Sequence, residues 1–259
     1  MGDKITIERN GDIAIVTLDN PEKMNALTLS MWRDLGDAMT QLSDDDGVRC
    51  VILRGAGTKA FAAGADIGEF ATLRSNREQA RAYAEVTTNA MDAIEHCRHP
   101  VVAMIHGVCV GGGLEIASLC DIRICGESSR FGAPVGQLGL TMSCAELGAL
   151  IRLAGRPVAM EIVLEGRIFD AREALAKGLT SRVVADDAVE EEAIATARRI
   201  ARGAPLVARW HKAVSNKLTP SPALSGADIE SAFDCFDTED FRIGADAFNA
   251  KQKPVFKGK

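Results

Sequence analysis

The sequence has 259 residues, of which 47% are hydrophobic and 25% are charged. These fractions exclude a disordered or fibrous chain, and the length predicts one large domain or a core with an appendage. The formal net charge of −6 is the wrong sign for a protein held mainly by nucleic-acid phosphates. We therefore expect no nucleic-acid partner.

Cysteine content and hydropathy bear on the compartment. The seven cysteines are scattered and odd in number, which favours a reducing compartment without a disulfide framework. No stretch approaches the roughly 20 apolar residues of a membrane span. The residues that follow Met1 lack the charged-then-apolar pattern of a signal peptide. We expect a cytoplasmic protein without a membrane partner.

Hydrophobic periodicity predicts an alternation of strands and helices. The first two strands read as a hairpin because Asn10-Gly11 between them is a favoured two-residue turn. In chain order, the predicted elements are strands over 5–7 and 13–17, a helix over 28–43, a strand over 48–53, a helix over 69–97, a strand over 101–105, a helix over 111–119, a strand over 122–125, and helices only beyond about residue 186.

This order predicts the fold class. Strands that look buried on both faces, separated by helices, indicate an α/β layer with crossover connections rather than an all-β fold. The change to helices near the end of the chain divides it in two. We predict an α/β core over residues 1–190 and an α-helical C-terminal region over residues 191–259.

Two familiar motifs lack the context that their chemistry requires. The run from Gly55 to Ala60 fits a dinucleotide fingerprint, but Gly64 falls within the first turns of the helix that should follow. His96 and His99 are spaced to share a metal ion, but no nearby ligand set completes a tetrahedral site. We expect both histidines to contact carbonyls at a helix end. The sequence implies no metal and no redox cofactor.

Three glycine-containing or small-residue segments follow predicted strands. Ala60-Phe61-Ala62-Ala63-Gly64-Ala65-Asp66 would let a ligand touch the backbone, because its side chains are small. Gly111-Gly112-Gly113-Leu114-Glu115 opens a helix, whose bare N–H groups suit a carboxylate, a phosphate or a developing oxyanion. Close packing of the glycines is the alternative explanation. Phe131-Gly132-Ala133-Pro134 forms the third segment.

The order and spacing of these segments resemble the enoyl-CoA hydratase/isomerase, or crotonase, superfamily. The resemblance covers nearly the whole chain. It implies a spiral of ββα units with a helical C-terminal region that forms trimers or paired trimers, and acyl thioesters of coenzyme A as ligands. The motifs that carry it are Asn20 to Leu27, Phe61 to Asp66, His106-Gly107 to Glu115, Cys120-Asp121-Ile122-Arg123 and Phe131-Gly132-x-Pro134.

The resemblance also implies a set of site residues. The backbone N–H groups of Ala65 and Gly112 would form an oxyanion hole for the thioester carbonyl, and Glu115 would be the catalytic acid/base. CoA would be part of the substrate, so no separate cofactor is implied. The residues implied to bind CoA or the acyl group are Lys23, Ala26, Ala63, Asp66, Ile67, Gly111, Pro134 and Val135, together with Phe248 and Lys251, which would reach the CoA of a neighbouring subunit.

One position departs from the family pattern. Hydratases of the superfamily carry two glutamates, and the second would follow Pro134, where this chain has Val135. A valine neither accepts nor donates a proton, so the carboxylate pair that adds water is incomplete. The prevalence of hydratases in the family favours a hydratase, whereas Val135 favours an isomerase or another reaction that needs a single carboxylate. Another CoA-thioester reaction (hydrolase, decarboxylase or dehalogenase) and a non-catalytic acyl-CoA-binding protein are the alternatives.

Several polar residues near the implied pocket have two interpretations. Ser143 and Glu146 stand at capping-box spacing, which favours a helix cap over a substitute acid at Glu146. An inert buried thiol is favoured for Cys144 over a reactive one. Arg74, Arg77 and Arg81 could bind a polar acyl group or could form a solvated helix face, and the solvated face is favoured. The basic residues of the tail could form a phosphate-binding patch or a solvated terminus; they are Lys251, Lys253, Lys257 and Lys259.

Overall fold

A computed structural model describes residues 4–218 and 224–258 of the chain. The strands are β1 (Lys4–Asn10), β2 (Ile13–Asp19), β3 (Cys50–Gly55), β4 (Ala60–Ala62), β5 (Val101–Ile105), β6 (Val108–Val110), β7 (Ile122–Gly126), β8 (Arg130–Gly132), β9 (Phe169–Asp170) and β10 (Arg182–Val184). The α-helices are α1 (Leu29–Asp44), α2 (Phe70–Leu73), α3 (Arg77–Glu95), α4 (Gly112–Leu119), α5 (Cys144–Glu165), α6 (Ala171–Ala176), α7 (Val189–Ala201), α8 (Pro205–Leu218), α9 (Gly226–Ser231) and α10 (Glu239–Asn249).

The strands form two sheets that the chain visits in turn. The larger sheet has the order β1-β2-β3-β5-β7-β10, and the smaller has the order β4-β6-β8-β9. Three times, a strand of the large sheet is followed by a strand of the small sheet and then by a helix: β3 and β4 before α2 and α3, β5 and β6 before α4, and β7 and β8 before α5. The predicted α/β fold, a spiral of ββα units, is confirmed.

Both faces of the large sheet are covered. In β2, Val16 and Leu18 belong to the main core with residues of α1 and α3, whereas Ile13 and Ile15 pack with α7 on the opposite face. Burial on both faces explains why the parallel strands read as continuous apolar runs. The predicted boundary at residue 190 falls within α7, and the division of the chain into two domains stays a prediction.

Two local predictions were wrong in detail. Asn10 pairs with Ile13, so the hairpin turn is Gly11-Asp12 rather than Asn10-Gly11, and Gly11 supplies the positive φ of 64° that the turn needs. The helix predicted over 69–97 is interrupted between Leu73 and Arg77. The side chain of Asn76 accepts a hydrogen bond from the Gln79 N–H and thereby begins a new helix.

The state of the cysteines and the character of the helices bear on the expected compartment. All seven cysteines are free thiols. Over the described ranges, no helix has both the length and the apolar character that crossing a membrane requires.

Candidate active site

The candidate site forms where the segment after β4 meets the start of α4. A Cβ built on Gly112 would lie 3.5 Å from the Ala65 nitrogen and 3.4 Å from the Gly64 Cα, so the two backbones are in contact. Gly112 is the first residue of α4, where a helix leaves its N–H groups unpaired. Within the described part of the chain, neither the Ala65 nor the Gly112 N–H donates a hydrogen bond.

Glycine is required for this approach. Gly64 has a φ of +99°, and a Cβ there would lie 3.3 Å from the Gly112 nitrogen. Gly111 caps α4 with φ 51° and ψ −125°, a conformation that is costly for any residue with a Cβ. A Cβ on Gly113 would lie 2.2 Å from the Ala62 carbonyl oxygen. Close packing therefore accounts for Gly113, while Gly112 presents its N–H.

Glu115 lies in the first turn of α4, whose residues are all buried. Its side chain is 6% exposed and makes no hydrogen bond to a described residue. Burial raises the pKa of this carboxyl well above its usual range, the neighbouring Glu146 raises it further, and Arg74 opposes both effects. The protonated form of Glu115 is therefore stable to higher pH than that of an exposed glutamate, which suits a group that exchanges a proton.

These groups surround an inner cavity of about 120 Å³. Sequence-predicted residues on its wall come from three separate segments, and the chain folds them together. They are Ala63, Ala65, Ile67, Gly111, Gly112, Glu115, Pro134 and Val135. Val135 is half-buried there, so an apolar side chain lies on the wall where the family pattern has its second glutamate.

An outer cavity of about 490 Å³ adjoins the inner one. Ala63, Ala65, Ile67 and Pro134 line both cavities, so the two are adjacent. Predicted residues found only on the outer wall are Lys23, Ala26, Asp66 and Phe248.

An ion pair fixes the wall of the outer cavity. The Lys23 Nζ lies 2.6 Å from the Asp66 Oδ2, and Asp66 also accepts a hydrogen bond from the Gly68 N–H. The side-chain amide of Asn25 donates to the carbonyls of Ala56 and Ala60. This links the segment that carries Lys23 to β4.

The site residues predicted in the C-terminal tail differ in whether they line the outer cavity. Phe248 lines the outer cavity of its own chain, whereas the resemblance implied contact with a neighbour's ligand. Lys251 lies just after α10, where its N–H donates a hydrogen bond to the Phe248 carbonyl. It does not line either cavity. Lys257 pairs with Glu239, and Lys259 lies outside the described residues.

Glu146 caps a helix and also lies on the wall of the inner cavity. Its side chain accepts a hydrogen bond from the Ser143 N–H over 2.6 Å and completes the predicted capping box of α5. Glu146 also lines the inner cavity together with Glu115. Cys144 is half-buried, does not line that cavity, and contacts the Asp228 carbonyl through its sulfur.

Arg74 contradicts the expectation of a solvated helix face. Because the helix breaks after Leu73, Arg74 turns into the inner cavity and lies over the rings of Phe70 and Tyr83. Arg77 and Arg81 instead pair with carboxylates near the C-terminus. Residues of the inner wall that the sequence did not reveal are Trp32, Phe70, Tyr83, Leu138 and Leu140, since their apolar character signals only a core.

The two histidines contact carbonyls, as predicted. The His96 Nδ1 lies 3.0 Å from the Asp92 carbonyl oxygen, and the His99 Nε2 lies 3.1 Å from that of Asp45. Burial lowers the pKa of His99 to about 4. Among residues 4–218 and 224–258, no three His, Cys, Asp or Glu side chains are grouped as metal ligands.

Comparison with known proteins identifies the family. The sequence pattern of the enoyl-CoA hydratase/isomerase family matches residues 8–259. A probable enoyl-CoA hydratase of Bacillus subtilis (strain 168) is 36% identical over 249 residues, covering 95% of each chain. The chain belongs to the enoyl-CoA hydratase/isomerase family and is an enzyme of that family.

Solved structures of similar proteins support the same family. An enoyl-CoA hydratase/carnithine racemase from Magnetospirillum magneticum is 51% identical, with a TM-score of 0.83, covering 100% of this chain and 97% of that one. Methylmalonyl-CoA decarboxylase in complex with 2-nitronate-propionyl-CoA is 27% identical, with a TM-score of 0.88 and 98% coverage of both. One fold thus serves more than one CoA-thioester reaction, and an acyl-CoA substrate is consistent with the family.

The electrostatic environment of Glu115 is testable by substitution of Glu146. Glu146→Gln removes a negative charge that raises the pKa of Glu115, and a glutamine still accepts the capping hydrogen bond. We expect the Glu115 carboxyl to ionise at lower pH in this variant. Infrared titration of the carboxyl band that Glu115→Gln abolishes measures the midpoint.

Asp170→Asn is the matched control, because Asp170 caps α6 through the Glu173 N–H and is not among the charges that act on Glu115. Its Glu115 midpoint should equal that of the wild type. An unchanged or higher midpoint in Glu146→Gln contradicts the assignment.

Proposed function

We propose that the enzyme acts on an acyl- or enoyl-CoA by stabilising the enolate of the thioester. The observation that carries this proposal is that the N–H groups of Ala65 and Gly112, which have no hydrogen-bond partner among the described residues, lie on the same cavity as the buried carboxyl of Glu115. A thioester carbonyl oxygen placed between these donors would gain negative charge as the enolate forms. One such donor is typically worth about 100- to 1000-fold in rate, and the start of α4 adds the favourable helix dipole.

Glu115 is proposed as the acid/base that moves the proton on the α- or γ-carbon. Its raised pKa favours a group that holds its proton to higher pH than an exposed glutamate does and can then release it. The reaction is a proton transfer, so it needs no cofactor beyond the CoA that the substrate carries. We propose that the outer cavity, with Lys23, Asp66 and Phe248 on its wall, receives the CoA.

Double-bond isomerisation fits this geometry best. A single carboxylate suffices to carry a proton from one carbon of the enolate to another, and Val135 supplies no second one. Hydration is the second candidate. It is favoured by the names of the relatives, such as the hydratase of Bacillus subtilis (strain 168), and by Glu146, which places another carboxylate on the wall of the inner cavity.

The remaining alternatives have less support. Among the described residues of the inner wall there is no cysteine, histidine or lysine, which leaves a hydrolase or dehalogenase only carboxylates and hydroxyls that no histidine activates. A decarboxylase shares the fold, but Arg74 on this wall would hold a carboxylate in its charged state and oppose its departure as CO₂. A non-catalytic acyl-CoA-binding protein would not need the buried carboxyl of Glu115.

Heavy water distinguishes these reactions. We expect the enzyme, incubated in heavy water with short trans-2-enoyl- and 3-enoyl-CoA, to interconvert the two double-bond positions with deuterium incorporation. Glu115→Gln should slow this by roughly 100-fold or more, the usual contribution of a general acid or base. Mass analysis of the thioester follows both changes, and Glu191→Gln, exposed on α7, is the matched control.

The outcomes separate the candidates. Addition of a whole heavy-water molecule that requires both Glu115 and Glu146 would establish hydration instead. A Glu115→Gln variant that keeps the wild-type rate, or a wild type that binds these thioesters without changing them, contradicts the proposal.

We also propose a homotrimer, or a hexamer of paired trimers, in the cytoplasm. Helix α8 exposes an apolar face that a subunit interface would cover. Its members are Leu206, Val207, Trp210 and Val214. Free thiols at all seven cysteines suit a reducing compartment.

Sedimentation velocity tests the assembly. We expect the wild type to sediment at three or six times the subunit mass of 27.6 kDa, and Trp210→Glu, at the centre of the α8 face, to sediment largely as the monomer. Leu164→Glu, at an exposed leucine of α5, should leave the assembly intact. A monomeric wild type, or an intact assembly in Trp210→Glu, excludes this interface.

A further inference from the structure

Arg74 is held in place by aromatic rings. Its guanidinium carbon lies 4.6 Å from the centre of the Phe70 ring and 4.8 Å from that of Tyr83. A third ring, that of Phe236, lies at 5.7 Å. Cation–π attraction and the packing of the side-chain stem therefore fix the guanidinium at the wall of the inner cavity.

The hydrogen-bonding capacity of this guanidinium is unused. In the described part of the chain Arg74 forms no ion pair, and its buried Nε has no hydrogen-bond partner. Arg77, three residues further on, pairs instead with Asp234 and Asp237. A guanidinium carries five N–H donors in a planar fork that matches a carboxylate. The cavity thus presents a positive group that no carboxylate of the described chain pairs with.

Two more polar groups on the same wall are unsatisfied. Tyr83 is 2% exposed and Trp32 is 1% exposed, and both line the inner cavity. The Trp32 indole N–H lies near the Tyr83 hydroxyl, but neither atom makes a hydrogen bond of normal geometry with a described residue. Leaving a buried polar group unpaired costs about 1–3 kcal/mol, which favours a ligand that supplies acceptor oxygens here.

The location of these groups relates them to the acyl part of a substrate. Arg74, Tyr83 and Trp32 line the same cavity as the N–H groups of Ala65 and Gly112. A thioester whose carbonyl rests on those two N–H groups, with its CoA in the outer cavity, has only the inner cavity left for its acyl group. At about 120 Å³, that space suits a short acyl chain, which would end beside Arg74.

We propose that the acyl group of the substrate carries a carboxylate, which binds Arg74 with support from Tyr83 and Trp32. This inference rests on the proposed function, because it takes the ligand to be a CoA thioester. The carboxylate is a recognition group and is not the group that reacts, since the guanidinium stabilises its charge. It distinguishes the substrate from aliphatic enoyl-CoA esters of the same length, which would leave Arg74, Tyr83 and Trp32 without acceptors.

Calorimetric binding of saturated thioesters, which cannot be isomerised or hydrated, tests this directly. Two pairs differ only in a carboxylate in place of a methyl group: glutaryl-CoA with pentanoyl-CoA, and malonyl-CoA with propionyl-CoA. We expect the wild type to bind the acid of at least one pair about 10- to 100-fold more tightly, the range for a hydrogen-bonded charge. Arg74→Gln should abolish that preference and leave the affinity for the methyl partner within about twofold.

Matched variants keep the test decisive. Arg77→Gln, whose arginine lies outside the cavity, should retain the full preference. Arg74→Lys keeps the positive charge without the planar fork of donors and should retain part of the preference. This variant replaces Arg74→Gln in the test if circular dichroism shows that Arg74→Gln is unfolded. Equal affinity for both members of each pair in the wild type, as expected if water satisfies the three groups, overturns this inference alone. No binding of any of the four thioesters overturns the proposed function as well.

Discussion

The contact between the backbone after β4 and the first turn of α4 determines the rest of the site. It is possible only because Gly64 and Gly111 adopt positive φ and Gly113 has no Cβ to strike the Ala62 carbonyl. The close approach brings two N–H groups together, and neither donates a hydrogen bond to a residue that the structure describes. It also buries the first turn of α4 and with it Glu115. One constraint of the chain therefore supplies both the N–H groups that we propose as the electrophile and the carboxyl that we propose as the acid/base.

The charges around Glu115 are balanced against one another. Burial and the proximity of Glu146 favour the protonated acid, whereas Arg74 favours the carboxylate. Both neighbours are held by interactions that do not involve Glu115: Glu146 by the cap of α5 and Arg74 by the surrounding rings. A ligand anion bound to Arg74 would neutralise the opposing charge and raise the pKa of Glu115 further. If both proposals hold, anion binding at Arg74 and protonation of Glu115 are coupled in this pocket.

Much of this was accessible from the sequence. Alternation and helical spacing located β5 and α4 within a residue of their ends, because buried strands and glycine-initiated helices have strong local signals. The resemblance to the family implied the spiral of ββα units and a shared site for Ala65, Gly112 and Glu115, which local patterns alone do not indicate. The capping box at Ser143 and Glu146 was likewise local and was confirmed.

The remaining features depend on the tertiary structure, which decides the direction in which each side chain points. The Asn76 cap breaks one predicted helix into two, which separates Arg74 from Arg77 and turns it inward. Spacing along the chain cannot reveal this, because it assumes a continuous helix. Trp32 and Tyr83 look like core residues in any pattern, and only the structure shows that their buried polar atoms have no hydrogen-bond partner among the residues it describes.

The central claim is that the Ala65 and Gly112 N–H groups hold the thioester carbonyl. Difference infrared spectroscopy of a bound saturated acyl-CoA, labelled with ¹³C at the thioester carbonyl, measures this without catalysis. Two hydrogen bonds to the oxygen polarise the C=O bond, so the account predicts a carbonyl band at lower frequency in the complex than in free solution. A band at or above its frequency in water would show that the carbonyl lies elsewhere and would contradict the account.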